Sequence, residues 1–154
     1  LEYALDTMKL AHKKGLKNIW VSNGYMSQET LDLIIPYLDA ANIDIKTIDK
    51  TKFNKYIGAA EPQHVLDNLK ILVKKNIHLE ITTLLIPTVN DDEEQLTQIA
   101  QFIANELGED IPWHLSRYFP AYKMMLSPTS VEKLEKAQEI GKKAGLKWVY
   151  LGNV

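Results

Sequence analysis

Two kinds of hydrophobic pattern alternate along the chain. Long segments with apolar side chains at every third or fourth position predict helices, and the short apolar runs between them predict strands. We predict strands at 18–22, 42–47, 77–86, 111–118 and 147–151. We predict helices at 1–14, 28–38, 62–75, 91–107 and 129–144, with a short helix near 51–57.

The joints between helix and strand support these boundaries. The stretches "AHKKGLKNIWV", "LVKKNIHLEI" and "GKKAGLKWVYL" each carry two lysines, which suit the negative end of a helix dipole. Gly15, Asn76 and Gly145 can adopt the left-handed conformation that ends a helix. At the helix starts, Ser27 and Asn90 are predicted caps, and Pro62 suits a first helical position.

Strands that alternate with helices, without any hairpin signal, predict an α/β fold with a parallel sheet and outer helices. A closed eight-stranded barrel needs roughly 200 residues or more. The 154 residues therefore predict one domain, either an open doubly wound sheet or part of a barrel.

Composition excludes several classes of function. The chain has no cysteine, which excludes disulfides, thiolate metal sites and a cysteine nucleophile. A net charge of −2 argues against nucleic acid as a partner. No apolar run is long enough for a membrane span and no signal peptide is visible, so we expect a cytoplasmic protein. The chain begins at Leu1 within an amphipathic helix, and we expect it to be a piece of a longer protein.

Polar residues collect where the predicted strands end. Segments that leave strands are longer than those that enter them, and ligands bind at the carboxyl ends of parallel strands. We therefore predict a functional edge that carries Ser22, Asn23, Asp44, Lys46, Pro87, Arg117 and Tyr118.

The stretch "ANIDIKT" is the least expected within a strand, because Asp44 and Lys46 fall on one face. A structural ion pair is one interpretation, although burial offsets much of its Coulomb energy. The other is a site that holds the two ends of a zwitterionic ligand. The turn "SNGY" after the first strand is either an ordinary turn or a set of backbone N–H groups that face a polar ligand.

Three further features favour structural interpretations or stay open. The acidic run "NDDEE" suits the first turn of a helix, and we assign no metal to it. The four histidines lack metal-ligand spacing, and only His114, within a strand, merits attention. The aromatic stretch "SRYFPAYKMML" is either core or a lid that faces substrate.

The ordered set "GLKNIWVSNGY", "ANIDIKT", "TTLLIPTVNDD", "PWHLSRYFPAYKM" and "GLKWVYLGNV" resembles radical S-adenosylmethionine (radical SAM) enzymes close to pyruvate formate-lyase activating enzyme. The nearest branch is the AmmeMemoRadiSam-system radical SAM protein. The resemblance implies the central and C-terminal part of a partial (β/α)6 TIM-like barrel. It also implies a four-iron, four-sulfur (4Fe-4S) cluster that cleaves SAM reductively to a 5′-deoxyadenosyl radical for hydrogen abstraction.

The resemblance extends to single residues. Ser22, Asn23 and Gly24 match a turn beside SAM, and Asp44 and Lys46 match an Asp-x-Lys pair at its methionyl and ribose region. Pro87 matches the proline that ends a strand. Thr82 and Phe119 stand where relatives have an arginine and a histidine, respectively, and Arg117 lies beside Phe119 on the predicted edge.

The CxxxCxxC loop that holds the cluster in this family, and a Gly-Gly-Glu-Pro-like motif, have no counterpart here. We therefore expect this chain to supply one wall of the SAM site and to be inactive alone. The resemblance implies two partners: a substrate, which in activating enzymes is a partner protein, and an electron donor such as flavodoxin or ferredoxin. Two other hypotheses stay open: a metal-independent barrel enzyme with Lys46 as a Schiff-base amine, and a non-catalytic docking domain.

Overall fold

One five-stranded sheet runs through the computed structural model, which describes residues 1–154. All neighbouring strands pair in parallel, in the order β1-β2-β3-β4-β5. The strands are β1 (Ile19–Ser22), β2 (Ala40–Asp44), β3 (His78–Leu85), β4 (Trp113–Arg117) and β5 (Val149–Gly152). The predicted parallel α/β fold is therefore confirmed.

Helices connect each strand to the next. They are α1 (Glu2–Lys13), α2 (Gln28–Ile34), α3 (Lys50–Lys52), α4 (Gln63–Lys74), α5 (Glu93–Phe102) and α6 (Val131–Lys143). A 3-10 turn (Ile35–Tyr37) extends α2, and π turns extend α3 (Phe53–Ile57) and α5 (Ile103–Leu107). No helix is both long and apolar enough to cross a lipid bilayer.

The strand order decides between the two sheet types left open by the sequence. Each strand neighbours the strands that precede and follow it in the chain, whereas a doubly wound sheet reverses its order at a switch point. Since crossovers between parallel strands are right-handed, this order places all the helices on one face. The arrangement is that of a barrel segment.

The two faces of the sheet consequently differ. On the helix-covered face, alternate strand residues are fully buried, among them Ile43, Ile81 and Trp113. Trp113 also donates from Nε1 to Thr83 Oγ1 at 2.9 Å, so its polar atom is paired within the core. On the other face most alternate residues of β2, β3 and β4 stay half-exposed, and many are polar: Asn42, Asp44, Glu80, Thr82 and His114. We call this second surface the open face.

Several predicted boundaries were wrong by one to three residues. β2 spans Ala40–Asp44 instead of 42–47, although Ile45 still donates to Thr82 O at 2.9 Å. Lys46 thus lies beyond the strand, in the chain that leaves it. Alternation nevertheless continues there, since Ile45 is buried and Lys46 is half-exposed.

The helix ends were predicted better than the helix starts. Gly15, Asn76 and Gly145 all have positive φ, as expected. Ser27 caps α2 by accepting from Thr30 N. Asn90, however, does not cap α5, because Asp92 accepts from Gln95 N in that role. Asn90 is instead enclosed by the site described below.

Candidate functional site

The turn after β1 brings polar groups to the carboxyl edge of the sheet. Asn23 Oδ1 accepts from Tyr25 N at 3.0 Å, and Ser22 Oγ accepts from Gly24 N at 3.1 Å. Gly24 has φ +69, which favours glycine, and a Cβ there would lie 2.6 Å from Ile43 Cγ2. The close approach of this turn to β2 therefore requires glycine at this position.

Asp44 and Lys46 form an ion pair beside this turn, on the open face. Lys46 Nζ lies 2.5 Å from Asp44 Oδ2, and the two side chains are 29% and 34% exposed, respectively. A pair this accessible to water contributes at most about 1 kcal/mol to stability. Because the fold gains little from the pair, its charges are available to a ligand.

Asn90 fixes the backbone around Lys46. It is fully buried. Its Nδ2 donates to Lys46 O at 2.6 Å and to Leu84 O at 2.9 Å, and its Oδ1 accepts from Ile86 N at 2.7 Å. One amide thus joins the ends of β2 and β3 to the segment that follows β3.

A cavity of about 300 Å³ opens at this edge of the sheet. Its lining residues come from several loops: Asn23, Lys46, Thr47, Tyr56, Ile57, Ile86, Val89, Asn90 and Met124. A smaller cleft shares Asn23, Lys46 and Ile57 with it and adds Tyr25, Asp44 and Phe53. An apolar wall with a few convergent polar groups is typical of small-molecule sites.

The structure does not bring four of the predicted site residues into the lining of the cavity or the cleft: Thr82, Pro87, Arg117 and Phe119. Thr82 is next to Asp44 in the strand register, but its hydroxyl donates to Asn42 Oδ1 at 2.7 Å. Arg117 Nε donates to Thr129 O at 2.7 Å, and its guanidinium lies over the Phe119 ring at 4.9 Å. Neither Arg117, Phe119 nor Pro87 lines the cavity or the cleft.

Sequence reasoning missed the aromatic and aliphatic side of the site. Tyr56 and Ile57 lie on the π turn after α3, and Phe53 begins that turn. The available signal was the length of the segment between β2 and α4, which carries several apolar residues far from any strand. Met124 also lines the cavity, whereas the sequence predicts only that its loop is core or lid.

The acidic residues at the start of α5 make hydrogen bonds and ion pairs within the chain. Asp91 accepts from Thr88 N and pairs with Lys133 at 3.1 Å. Asp92 caps α5 and pairs with Lys52 at 3.0 Å. Burial raises the pKa of Asp92, but hydrogen bonds from Gln95 and Lys52 outweigh it and hold the pKa below its usual value. The run thus acts as a helix start, as predicted.

Comparison with known families identifies the fold. Residues 1–100 match the model of the radical SAM superfamily. The chain belongs to this superfamily. The radical SAM assignment agrees with the sequence resemblance and favours it over the Schiff-base and docking hypotheses.

Two curated relatives show how this radical SAM chain compares in length. An uncharacterised protein of Methanocaldococcus jannaschii is 38% identical over an alignment of 154 positions, which covers 99% of this chain and 45% of that protein. The (2S)-3-sulfopropanediol dehydratase activating enzyme of Klebsiella oxytoca is 30% identical over 111 residues, 71% of this chain and 34% of that enzyme. The chain thus spans less than half the length of these relatives.

A solved structure shows the same radical SAM fold. A domain of a pyruvate formate-lyase-activating enzyme from Bacteroides vulgatus superposes with a TM-score of 0.83 at 22% identity. The match covers 99% of this chain and 91% of that domain. The predicted partial, TIM-like radical SAM barrel is therefore confirmed as the fold.

The two groups that this superfamily implies differ in how they fit the residues present. The carboxylate, ammonium and amide of Asp44, Lys46 and Asn23 suit a zwitterionic, ribose-bearing molecule such as SAM. An iron–sulfur cluster needs thiolate ligands, and the 154 residues contain no cysteine. These residues thus fit SAM and do not hold the cluster.

Proposed function

We propose that this chain is the SAM-binding wall of a radical SAM enzyme of the activating-enzyme type. The observation that carries the proposal is the Asp44–Lys46 pair, which stands beside Asn23 at the carboxyl edge of a radical SAM sheet. Such enzymes cleave SAM reductively at a 4Fe-4S cluster and use the resulting radical to abstract hydrogen.

The residues of the site would bind and orient SAM. Asp44 can accept hydrogen bonds from an ammonium or from ribose hydroxyls, and Lys46 can donate to a carboxylate. Asn90 keeps the Lys46 backbone in place. Tyr25, Phe53 and Ile57 provide apolar surface for a nucleoside. In this proposal Ser22 and Gly24 shape the turn that positions Asn23.

We also propose a substrate, an electron donor and a cellular location for the enzyme. Several curated relatives are activating enzymes, for example that of Klebsiella oxytoca. By analogy, the substrate here is a segment of a partner protein, and flavodoxin or ferredoxin supplies the electron, in the cytoplasm. From the ordered motifs we also propose that the enzyme belongs to the AmmeMemoRadiSam-system branch.

The proposal predicts the behaviour of the chain toward iron. Because it has no cysteine, anaerobic incubation of the 154 residues with iron and sulfide should leave no bound cluster. Visible absorbance and iron analysis after desalting measure this. The complete protein encoded by the same reading frame serves as the control and should retain a cluster. Retention of a cluster by the 154 residues would contradict the assignment of its ligands to another segment.

Substitution of the ion pair tests the SAM site itself. In the complete protein, Asp44→Asn and Lys46→Met should each weaken SAM binding about tenfold, the usual effect of losing one charge-assisted hydrogen bond. Isothermal titration calorimetry measures the affinity, and 5′-deoxyadenosine release measures cleavage. Lys50→Met is the matched control, since Lys50 pairs with Glu61 at 2.9 Å and lies outside the cavity.

Two results would refute the proposed function. One is a reading frame without a three-cysteine motif upstream of this chain. The other is a SAM affinity that is the same in wild type, Asp44→Asn and Lys46→Met.

A further inference from the structure

A second polar group lies on the open face, away from the Asp44–Lys46 pair. Glu80 Oε2 is 2.8 Å from His114 Nε2, and Glu80 Oε1 is 3.2 Å from His78 Nε2. The His114 ring stacks on Tyr150, with centroids 5.3 Å apart and planes inclined by 27°. Three strands thus hold one imidazole in a fixed orientation. The proposed SAM contacts use none of these residues.

The protonation of this group follows from its partners. Partial burial raises the pKa of Glu80, but the hydrogen bonds from His78 and His114 outweigh burial and hold the pKa below its usual value. The ionised carboxylate only accepts hydrogen bonds, so His114 Nε2 must carry a proton. In the neutral ring the other nitrogen, Nδ1, is then an unprotonated acceptor. Nδ1 makes no hydrogen bond within the chain, and the side chain is 35% exposed.

The strand register relates this acceptor to the proposed SAM site. Asp44 pairs with Thr82, Thr82 with His114, and His114 with Tyr150. His114 and Asp44 therefore lie at the same height on the same face. Two strand spacings separate their backbones by about 10 Å. A molecule that reaches over the open face from the SAM site would meet His114.

We propose that His114, oriented by Glu80 and stacked on Tyr150, binds a planar amide N–H group of the substrate, such as the backbone of a peptide segment. This inference rests on the proposed function, because it makes the open face the substrate side of the same site. Nδ1 accepts the N–H hydrogen bond. The Tyr150 ring, stacked on His114, provides apolar surface next to the imidazole. Glu80 is a positioning residue that acts through His114.

Nuclear magnetic resonance of the imidazole nitrogens tests the inference, with N-acetylglycinamide as the amide probe. We expect the neutral His114 ring to be the Nε2–H tautomer, and the probe to shift its Nδ1 signal saturably. Glu80→Gln should mix the tautomers and raise the dissociation constant of the probe about tenfold, the effect of one hydrogen bond. Tautomer mixing would not follow from a merely structural role of Glu80.

Two variants give the controls. His114→Phe keeps an aromatic ring against Tyr150 and removes the nitrogen. Binding of the probe should shift Tyr150 signals in the wild type and leave them unchanged in this variant. His12→Gln alters a histidine on α1, whose ring is T-shaped to Tyr37, and should leave the response unchanged. An Nδ1–H tautomer at His114, or no shift up to the solubility limit of the probe, would overturn the inference. Neither outcome depends on SAM, whose failure to bind the complete protein would instead refute the proposed function.

Discussion

Replacing Gly24 with alanine should lower the free energy of unfolding by about 2–5 kcal/mol. Part of this loss is the cost of φ +69 for a residue with a Cβ, about 1–2 kcal/mol. The rest is overpacking, typically about 1–3 kcal/mol, because the Cβ would lie 2.6 Å from Ile43 Cγ2 and 3.1 Å from Val65 Cγ1. The turn cannot move away freely, since Asn68 Nδ2 donates to Gly24 O at 3.0 Å and to Met26 O at 2.8 Å.

Gly58→Ala separates the two contributions. Gly58 has φ +77, close to that of Gly24, but a Cβ there meets nothing within 4 Å. Urea denaturation of both variants should therefore show Gly24→Ala to be less stable than Gly58→Ala by about 1–3 kcal/mol. Equal stabilities would mean that the packing of the turn on β2 imposes no constraint. We also expect the first variant to bind SAM more weakly, because Ile43 is next to Asp44 in β2.

The fold was predictable because local signals agreed with one another. Three joints between helix and strand carry the same sequence of signals: a lysine pair, a residue that adopts the left-handed conformation, and an apolar run. Because the signals agree at all three joints, the boundaries predicted there support one another. The sheet type was not predictable from these signals, since a doubly wound sheet and a barrel segment use the same helices and strands. That choice depends on which strands neighbour each other, a long-range property that the periodicity of one segment does not contain.

The ion pair was predictable for a related reason. Two charged residues on a strand face cost desolvation free energy that their attraction barely offsets, so Asp44 and Lys46 favour a functional role on sequence grounds alone. The wall of Phe53, Tyr56 and Ile57 could not be found in this way, because apolar residues on a helical turn are also expected in a core. Arg117 lies within the predicted strand 111–118 and ends β4 in the structure, where its Nε donates to Thr129 O.

Asn90 was misjudged because its type suits several roles. Asparagine before an acidic run is typical of a helix cap, and the sequence contains no sign that Lys46 O and Leu84 O approach it. Those two carbonyls come from segments 44 and 6 residues away, respectively. In the structure Asn90 is therefore a residue that connects three segments of the site, not the local helix cap that the sequence predicts.

Asn90→Asp should destabilise the chain at neutral pH by about 3–5 kcal/mol, the range for an uncompensated buried charge. The two side chains have nearly the same volume, so no cavity forms. The new carboxylate can still accept from Ile86 N, but it faces Lys46 O and Leu84 O without a proton to donate. SAM binding should weaken as well, since the Lys46 backbone loses its hydrogen-bond donor.

The pH dependence of Asn90→Asp distinguishes this cause from a general loss of packing. Burial against two carbonyl oxygens raises the pKa of the introduced carboxyl in the folded state above its unfolded value. The folded state then binds a proton more readily than the unfolded state, so the defect should shrink as the pH falls and grow as it rises. Urea denaturation of variant and wild type across mildly acidic to neutral pH measures the difference.

Asn105→Asp, at an exposed position, is the matched control and should cost no more than about 1 kcal/mol. A defect in Asn90→Asp that stays constant with pH would show that the carboxylate is not buried against these carbonyls.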